Sequence, residues 1–242
     1  MTTMSPPEVL SPPSASTLLV AETFTSFQGE GPSAGQPAAF IRLSRCNLIC
    51  SWCDTPYTWD WARFRPDAEA RRLPVGDLAN WALAQPATLV VITGGEPLLQ
   101  QTALLPLADA LAREGRCIEI ETNGTIAPAP DLVDLVTRFN VSPKLSGSGV
   151  PVVRRLVPPA LAALAMTGKA IFKFVICQRS ELDEVAAMES EYGLRPVWVM
   201  PEGTADQIVL ERMRALADVA LTRGWCVSGR LHVLLWGDVR GR

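Results

Sequence analysis

The chain has 242 residues, 48% of them hydrophobic, and a formal net charge of −3 with Lys and Arg scattered along it. That length buries a full core within one large domain. The charge pattern excludes a basic nucleic-acid stripe, and no apolar run approaches the length of a membrane span. The first sixteen residues, MTTMSPPEVLSPPSAS, lack the basic start and apolar middle of a signal peptide. They predict a disordered or loosely attached tail over 1–16. TLLVAETF and AAFIRLS then read as strands, VGDLANWALAQ as a helix, and TLVVITGG as a strand followed by the helical LLQQTALLPLADALAREG. CIEIETNG, FNVSPK, KAIFKFVIC and PVWVMP read as further strands, each followed by a helical pattern, and the closing RLHVLLWG reads as an apolar strand. Strands recur roughly every 25 to 30 residues, the length of a βα unit. About six such units predict an incomplete barrel, open on one side, with polar motifs at the carboxyl ends of its strands.

The densest chemistry is RCNLICSWCDT, in which Cys46, Cys50 and Cys53 form CxxxCxxC. Three thiolates are too few for the four-thiolate sites of structural zinc or electron-transfer clusters. They suit a 4Fe-4S cluster with one iron free of protein, while a zinc knuckle with a distant fourth ligand or three unrelated thiols remain open on spacing alone. Cys117, Cys177 and Cys226 lie in apolar, strand-like contexts. A disulfide framework does not suit this chain, and reduced thiols point to the cytoplasm.

Gly94-Gly95-Glu96-Pro97 follows a strand, where glycines permit close backbone approach to a ligand and Glu96 could hold an amino group. Glu119 and Glu121 share one strand face, by composition either exposed at the barrel end or aimed at a ribose hydroxyl or amine. Ser142-Pro143-Lys144 follows the next strand. Gln28, Gly29 and Glu30 equip a turn to recognise a heterocycle, and Arg42 can pair with a carboxylate through two parallel bonds. Asp54 and Thr55 could bind a hard cation. Trp52, Trp59 and Trp61 read as packing around the cysteine loop, and the single histidine, His232, as a packed strand residue.

Taken together, the QGEG turn, FIRL, RCNLICSWCDT, TGGEP, ETNGT, SPK and LHVLLWG resemble the 7-carboxy-7-deazaguanine synthase family of radical S-adenosylmethionine (radical SAM) enzymes, from Glu22 to Gly237. The resemblance implies a partial (β/α)6 TIM-type barrel, with 17–242 as the radical SAM catalytic domain. It implies a carbon-nitrogen lyase of queuosine-type 7-deazapurine biosynthesis, converting 6-carboxy-5,6,7,8-tetrahydropterin to 7-carboxy-7-deazaguanine with loss of ammonia. The implied cofactors are a 4Fe-4S cluster on Cys46, Cys50 and Cys53, S-adenosylmethionine, and Mg2+ at Thr55. The implied substrate contacts are Phe27, Gln28, Gly29, Arg42, Thr93 and His232. The implied cofactor contacts are Gly95, Glu96, Glu121, Ser142, Pro143, Lys144 and the turn Met200, Pro201, Glu202 and Gly203. A homodimer and an external electron donor such as flavodoxin are implied partners. Two alternatives share part of the pattern: a glycyl-radical activase, which would need a polypeptide-docking face, and a non-enzymatic iron-sulfur or zinc module.

Overall fold

The computed structural model describes residues 16–242. The expected tail therefore lies, but for Ser16, outside the described residues, and the Ser16 carbonyl already accepts a hydrogen bond from the Val75 amide at 2.9 Å. The strands are β1 (Thr17–Phe27), β2 (Pro37–Leu43), β3 (Arg71–Pro74), β4 (Leu89–Gly94), β5 (Cys117–Thr122), β6 (Arg138–Val141), β7 (Ala170–Ile176), β8 (Val197–Pro201) and β9 (Cys226–Val227). The helices are α1 (Pro66–Glu69), α2 (Val75–Leu83), α3 (Gln101–Arg113), α4 (Pro130–Leu135), α5 (Val152–Arg155), α6 (Pro158–Met166), α7 (Glu181–Tyr192), α8 (Asp206–Arg223) and α9 (Leu231–Trp236).

The strands form one nine-stranded sheet in the order β3-β1-β2-β4-β5-β6-β7-β8-β9. β1 pairs antiparallel with β2 and β3, and every pairing from β2–β4 onward is parallel. The sheet does not close, because β3 and β9 are its two edges. This is the partial barrel expected of the sequence: β2, β4, β5, β6, β7 and β8 each lead into a helical connection.

Alternation along the strands decides where the chemistry sits, because successive side chains point to opposite faces. On one face Ile41, Ile92, Ile120, Phe139, Phe172 and Val199 are fully buried and pack with helix residues such as Leu78, Leu107 and Leu164 in the main core. On the other face the same strands carry Arg42, Thr93, Glu121, Asn140, Lys173 and Met200, which line a cavity. Register aligns them in pairs across the sheet, Arg42 with Thr93, Glu121 with Asn140 and Val175 with Met200.

Three differences from the sequence expectations have physical causes. β3 and β9 are too short to carry a period-two signal. RLHVLLWG is a helix, not a strand; a short apolar run fits either state by periodicity, and its end is set by Gly237 at φ +73°. Glu119 is not exposed at the barrel end. It is 2% exposed, and Ser33, Arg138 and Asn140 all donate to its carboxylate.

Candidate active site

A cavity of about 490 Å³ opens at the carboxyl ends of the strands, a size suited to small-molecule ligands. One wall is the loop after β2, which brings in Cys46, Cys50 and Cys53. Beside it lie Gly94 and Gly95, then Ser142 and Lys144. The opposite wall carries Phe27, Gln28 and Gly29 from the end of β1 and His232 from α9.

The cysteine loop is held from behind. Leu48, Cys50 and Val150 are buried together, with Cys46 and Cys53 against them. The Leu48 amide donates to Cys46 Sγ at 3.4 Å and Trp59 Nε1 donates to Cys53 Sγ at 3.3 Å. Donors aimed at the sulfurs suit thiolate ligands, so the residues present fit a three-thiolate cluster. Without iron, burial pushes the Cys46 thiol up to about 11; cation binding offsets that cost by stabilising the thiolate. The entry to the loop passes through Arg45, a non-glycine residue at φ +79°. Its carbonyl accepts from the Glu96 amide at 2.8 Å.

That contact explains the two glycines differently from the sequence. A Cβ on Gly94 would lie 2.0 Å from the Leu43 carbonyl oxygen, and one on Gly95 would lie 2.0 Å from that of Arg45. Both glycines admit the backbone entering the cysteine loop, while their own backbone also borders the cavity. Glu96 does not face the cavity. It is fully buried, and its oxygens accept from the Leu98 amide, the Thr122 hydroxyl and the Asn123 amide at 2.7–2.9 Å. Burial raises its pKa in spite of these bonds. Three of its roughly four lone-pair sites are thus taken by the chain, and these bonds tie the ends of β4 and β5 together.

Among the other expected cofactor contacts, Ser142, Lys144, Met200 and Glu202 line the cavity, whereas Pro143, Pro201 and Gly203 do not. Lys144 Nζ donates to Ser142 Oγ at 2.9 Å, and it sits 5.3 Å from the Trp52 ring centroid. The Gly203 carbonyl accepts from Arg230 at 2.6 Å. Thr55 lines the cavity with its hydroxyl 3.7 Å from Cys53 Sγ, whereas Asp54 pairs with Arg230. Trp61 is partly exposed, so only Trp52 and Trp59 border the site.

On the opposite wall, Gln28 Nε2 and the Thr93 hydroxyl donate to Glu121 at 3.2 and 2.7 Å. Glu121 thereby organises the substrate-side residues as well as facing the cavity. The His232 ring lies on Gly29, where a Cβ would meet Nδ1 at 2.1 Å. Burial lowers the pKa of His232 despite the nearby Glu30 carboxylate, leaving it neutral at neutral pH. Phe27 is partly exposed and stacks with Trp236 at 6.1 Å. Arg42 Nε donates to Glu22 at 2.7 Å.

Several residues here carry no motif. Glu30 pairs with both Lys173 and Arg230, and Arg230 continues to Asp54. Burial would raise the Glu30 pKa, but the two cations hold it far below the usual carboxylate range. Asn140 donates to Glu119 at 2.8 Å, yet its Oδ1 is buried without a donor at the cavity wall. Lys173 was the legible one: a lysine inside KAIFKFVIC breaks an apolar strand just as Glu119 and Glu121 break theirs. Arg230 and Asn140 gave no comparable signal.

The cluster loop, the strand-end glycines and the open sheet define a radical SAM protein, and residues 40–157 match the model of the Radical SAM superfamily. Such proteins carry a 4Fe-4S cluster and S-adenosylmethionine. The chain is 38% identical to a 7-carboxy-7-deazaguanine synthase of Pyrobaculum aerophilum over 92% of its own length and 96% of that protein. It is 37% identical to one of Hyperthermus butylicus, covering 90% and 92%. The crystal structure of QueE from Escherichia coli superposes with a TM-score of 0.67 at 29% identity, covering 89% of this chain and 95% of that one. The chain belongs to the 7-carboxy-7-deazaguanine synthase family.

Proposed function

We propose that this chain converts 6-carboxy-5,6,7,8-tetrahydropterin to 7-carboxy-7-deazaguanine with release of ammonia. The observation that carries this reading is the meeting, in one cavity, of three cysteines on one wall with a carboxylate-reading arginine and a set of heterocycle-reading polar groups on the other. The bound cluster and S-adenosylmethionine supply the radical that starts the rearrangement. The chain's residues bind, orient and exclude water.

In this reading Arg42 grips the substrate carboxylate. Its terminal guanidinium nitrogens make no hydrogen bond among the described residues and are not sealed from the cavity. Gln28, Asn140 and neutral His232 read the edges of the pterin. Ser142, Lys144, Met200 and the Gly94–Gly95 backbone border the S-adenosylmethionine. Phe27 closes one side.

The same reading extends to a magnesium ion at Thr55, supported by the hydroxyl's place between Cys53 and the cavity. It extends to a homodimer, an external one-electron donor such as flavodoxin, a cytoplasmic location and a single catalytic domain over 17–242, supported by the family resemblance. None of the described helices is long and apolar enough to cross a membrane. The test is anaerobic incubation of the reconstituted protein with S-adenosylmethionine, dithionite and the carboxytetrahydropterin, followed by mass spectrometry. Formation of carboxydeazaguanine is expected; cofactor cleavage with the pterin untouched would overturn the reading.

A further inference from the structure

Arg42 is not free to turn. Its Nε donates to Glu22 Oε1 at 2.7 Å, and that oxygen also accepts the Tyr57 hydroxyl at 2.8 Å. The other Glu22 oxygen accepts from Arg240 Nε at 2.9 Å. Arg240 in turn donates to Glu69 at 2.8 Å and lies 3.8 Å over the Tyr57 ring. Glu22 therefore gathers β1, β2, the segment after the cysteines and the segment after α9 onto one carboxylate. Burial would raise its pKa; Arg42 and the bonds from Tyr57 and Arg240 outweigh this and lower it, so it stays ionised.

Two consequences follow from charge and shape. With Nε committed, the fork that Arg42 offers the cavity is the end-on pair of terminal nitrogens. A carboxylate beside Arg42 also weakens its attraction for a second carboxylate, and Arg240 offsets that by sharing the Glu22 charge. We propose that Glu22 and Arg240 are positioning residues that set the orientation and the effective charge of Arg42, and so the preference of the cavity for a carboxylated pterin. This rests on the reading of Arg42 as the substrate-carboxylate contact.

The test is anaerobic calorimetry on the holoenzyme with S-adenosylmethionine and no reductant, using 6-carboxypterin and pterin as probes. The ratio of the two dissociation constants is the readout. Wild type prefers 6-carboxypterin. Arg240→Met keeps the stem but loses the charge, and is expected to reduce that preference about two- to fivefold, the range of a partly exposed ion pair, with pterin affinity unchanged. Glu22→Gln keeps an acceptor for Arg42 Nε and removes the competing charge. Added to Arg240→Met, it is expected to restore the preference, a coupling that a merely structural Arg240 would not produce. If wild type prefers 6-carboxypterin and Arg240→Met does so equally, or if both probes weaken alike without rescue, the proposal falls and Arg42 keeps its role. If wild type shows no preference, both fall.

Discussion

Six cysteines divide into two groups by what surrounds each sulfur. Cys46, Cys50 and Cys53 share one packed loop and one cavity, whereas Cys117 begins β5 at the surface, Cys177 directly follows β7 and Cys226 sits in β9. Each of Cys46→Ala, Cys50→Ala and Cys53→Ala is expected to lose the intact cluster by iron and sulfide analysis, and Cys117→Ala and Cys226→Ala to keep it. Gly95→Ala tests the glycine argument separately. Its Cβ would strike backbone rather than a movable side chain, so thermal unfolding is expected to report a loss of about 1–3 kcal/mol, as in overpacked cores, with reduced iron retention. An unchanged Tm would mean that the approach of β4 to the loop is looser than 2.0 Å implies. At this scale the cysteines and Arg42 stood out in the sequence by residue type and neighbourhood, and one cavity gathers them; Gly95 stood out too, but the close approach it admits is that of the Arg45 carbonyl. Glu96 was ambiguous. An acid at a helix start after a strand looks the same whether its lone pairs face a ligand or three donors of its own chain.

Between elements, the strongest tie is the chain of charges from Lys173 on β7 through Glu30 after β1 to Arg230 before α9 and Asp54 beside the cluster loop. It joins parts more than a hundred residues apart, and only the fold brings them together. Glu30→Gln leaves the buried Lys173 ammonium without its partner, and breaking such a pair costs about 3–5 kcal/mol. Because its folded pKa is depressed, the stability from Glu30 is fully present above the ordinary value of 4.5 and is lost as pH falls below it. Lys173 is raised above 10.5: burial opposes this, but Glu30 and Glu121 prevail. Its share is therefore complete below that value and lost above it. Denaturant unfolding across this range should show a wild-type acid slope that Glu30→Gln flattens; parallel curves would place the ionised network outside the folding balance. Of the elements themselves, most strands and the longer helices from β4 to α8 were legible because apolar strand-like runs and helical patterns alternate there at the spacing of βα units. α9 was not, since six residues of apolar sequence satisfy either period; as a helix it carries His232 against Gly29.

Across the whole molecule, the sheet separates two jobs by strand alternation. One face is apolar and packs the helices, while the other carries a small apolar cluster of Ala38, Phe40, Leu89 and Val91 and, toward the carboxyl ends of the strands, polar residues whose burial would be costly without partners. Arg42→Lys probes the second face without disturbing the first. It keeps the charge but loses the planar fork, and binding of 6-carboxypterin is expected to weaken about tenfold to a hundredfold, the ~1.5–3 kcal/mol of a charge-assisted bond, while iron content stays full. In the proposed function, one cavity holds both the cluster and a carboxylated pterin. Crystals grown anaerobically with S-adenosylmethionine and 6-carboxypterin, measured at the iron absorption edge, test it most directly. Iron is expected on Cys46, Cys50 and Cys53, with a pterin in the same cavity and its carboxylate on Arg42. Iron held elsewhere, or a pterin bound with its carboxylate turned away from Arg42, would contradict it.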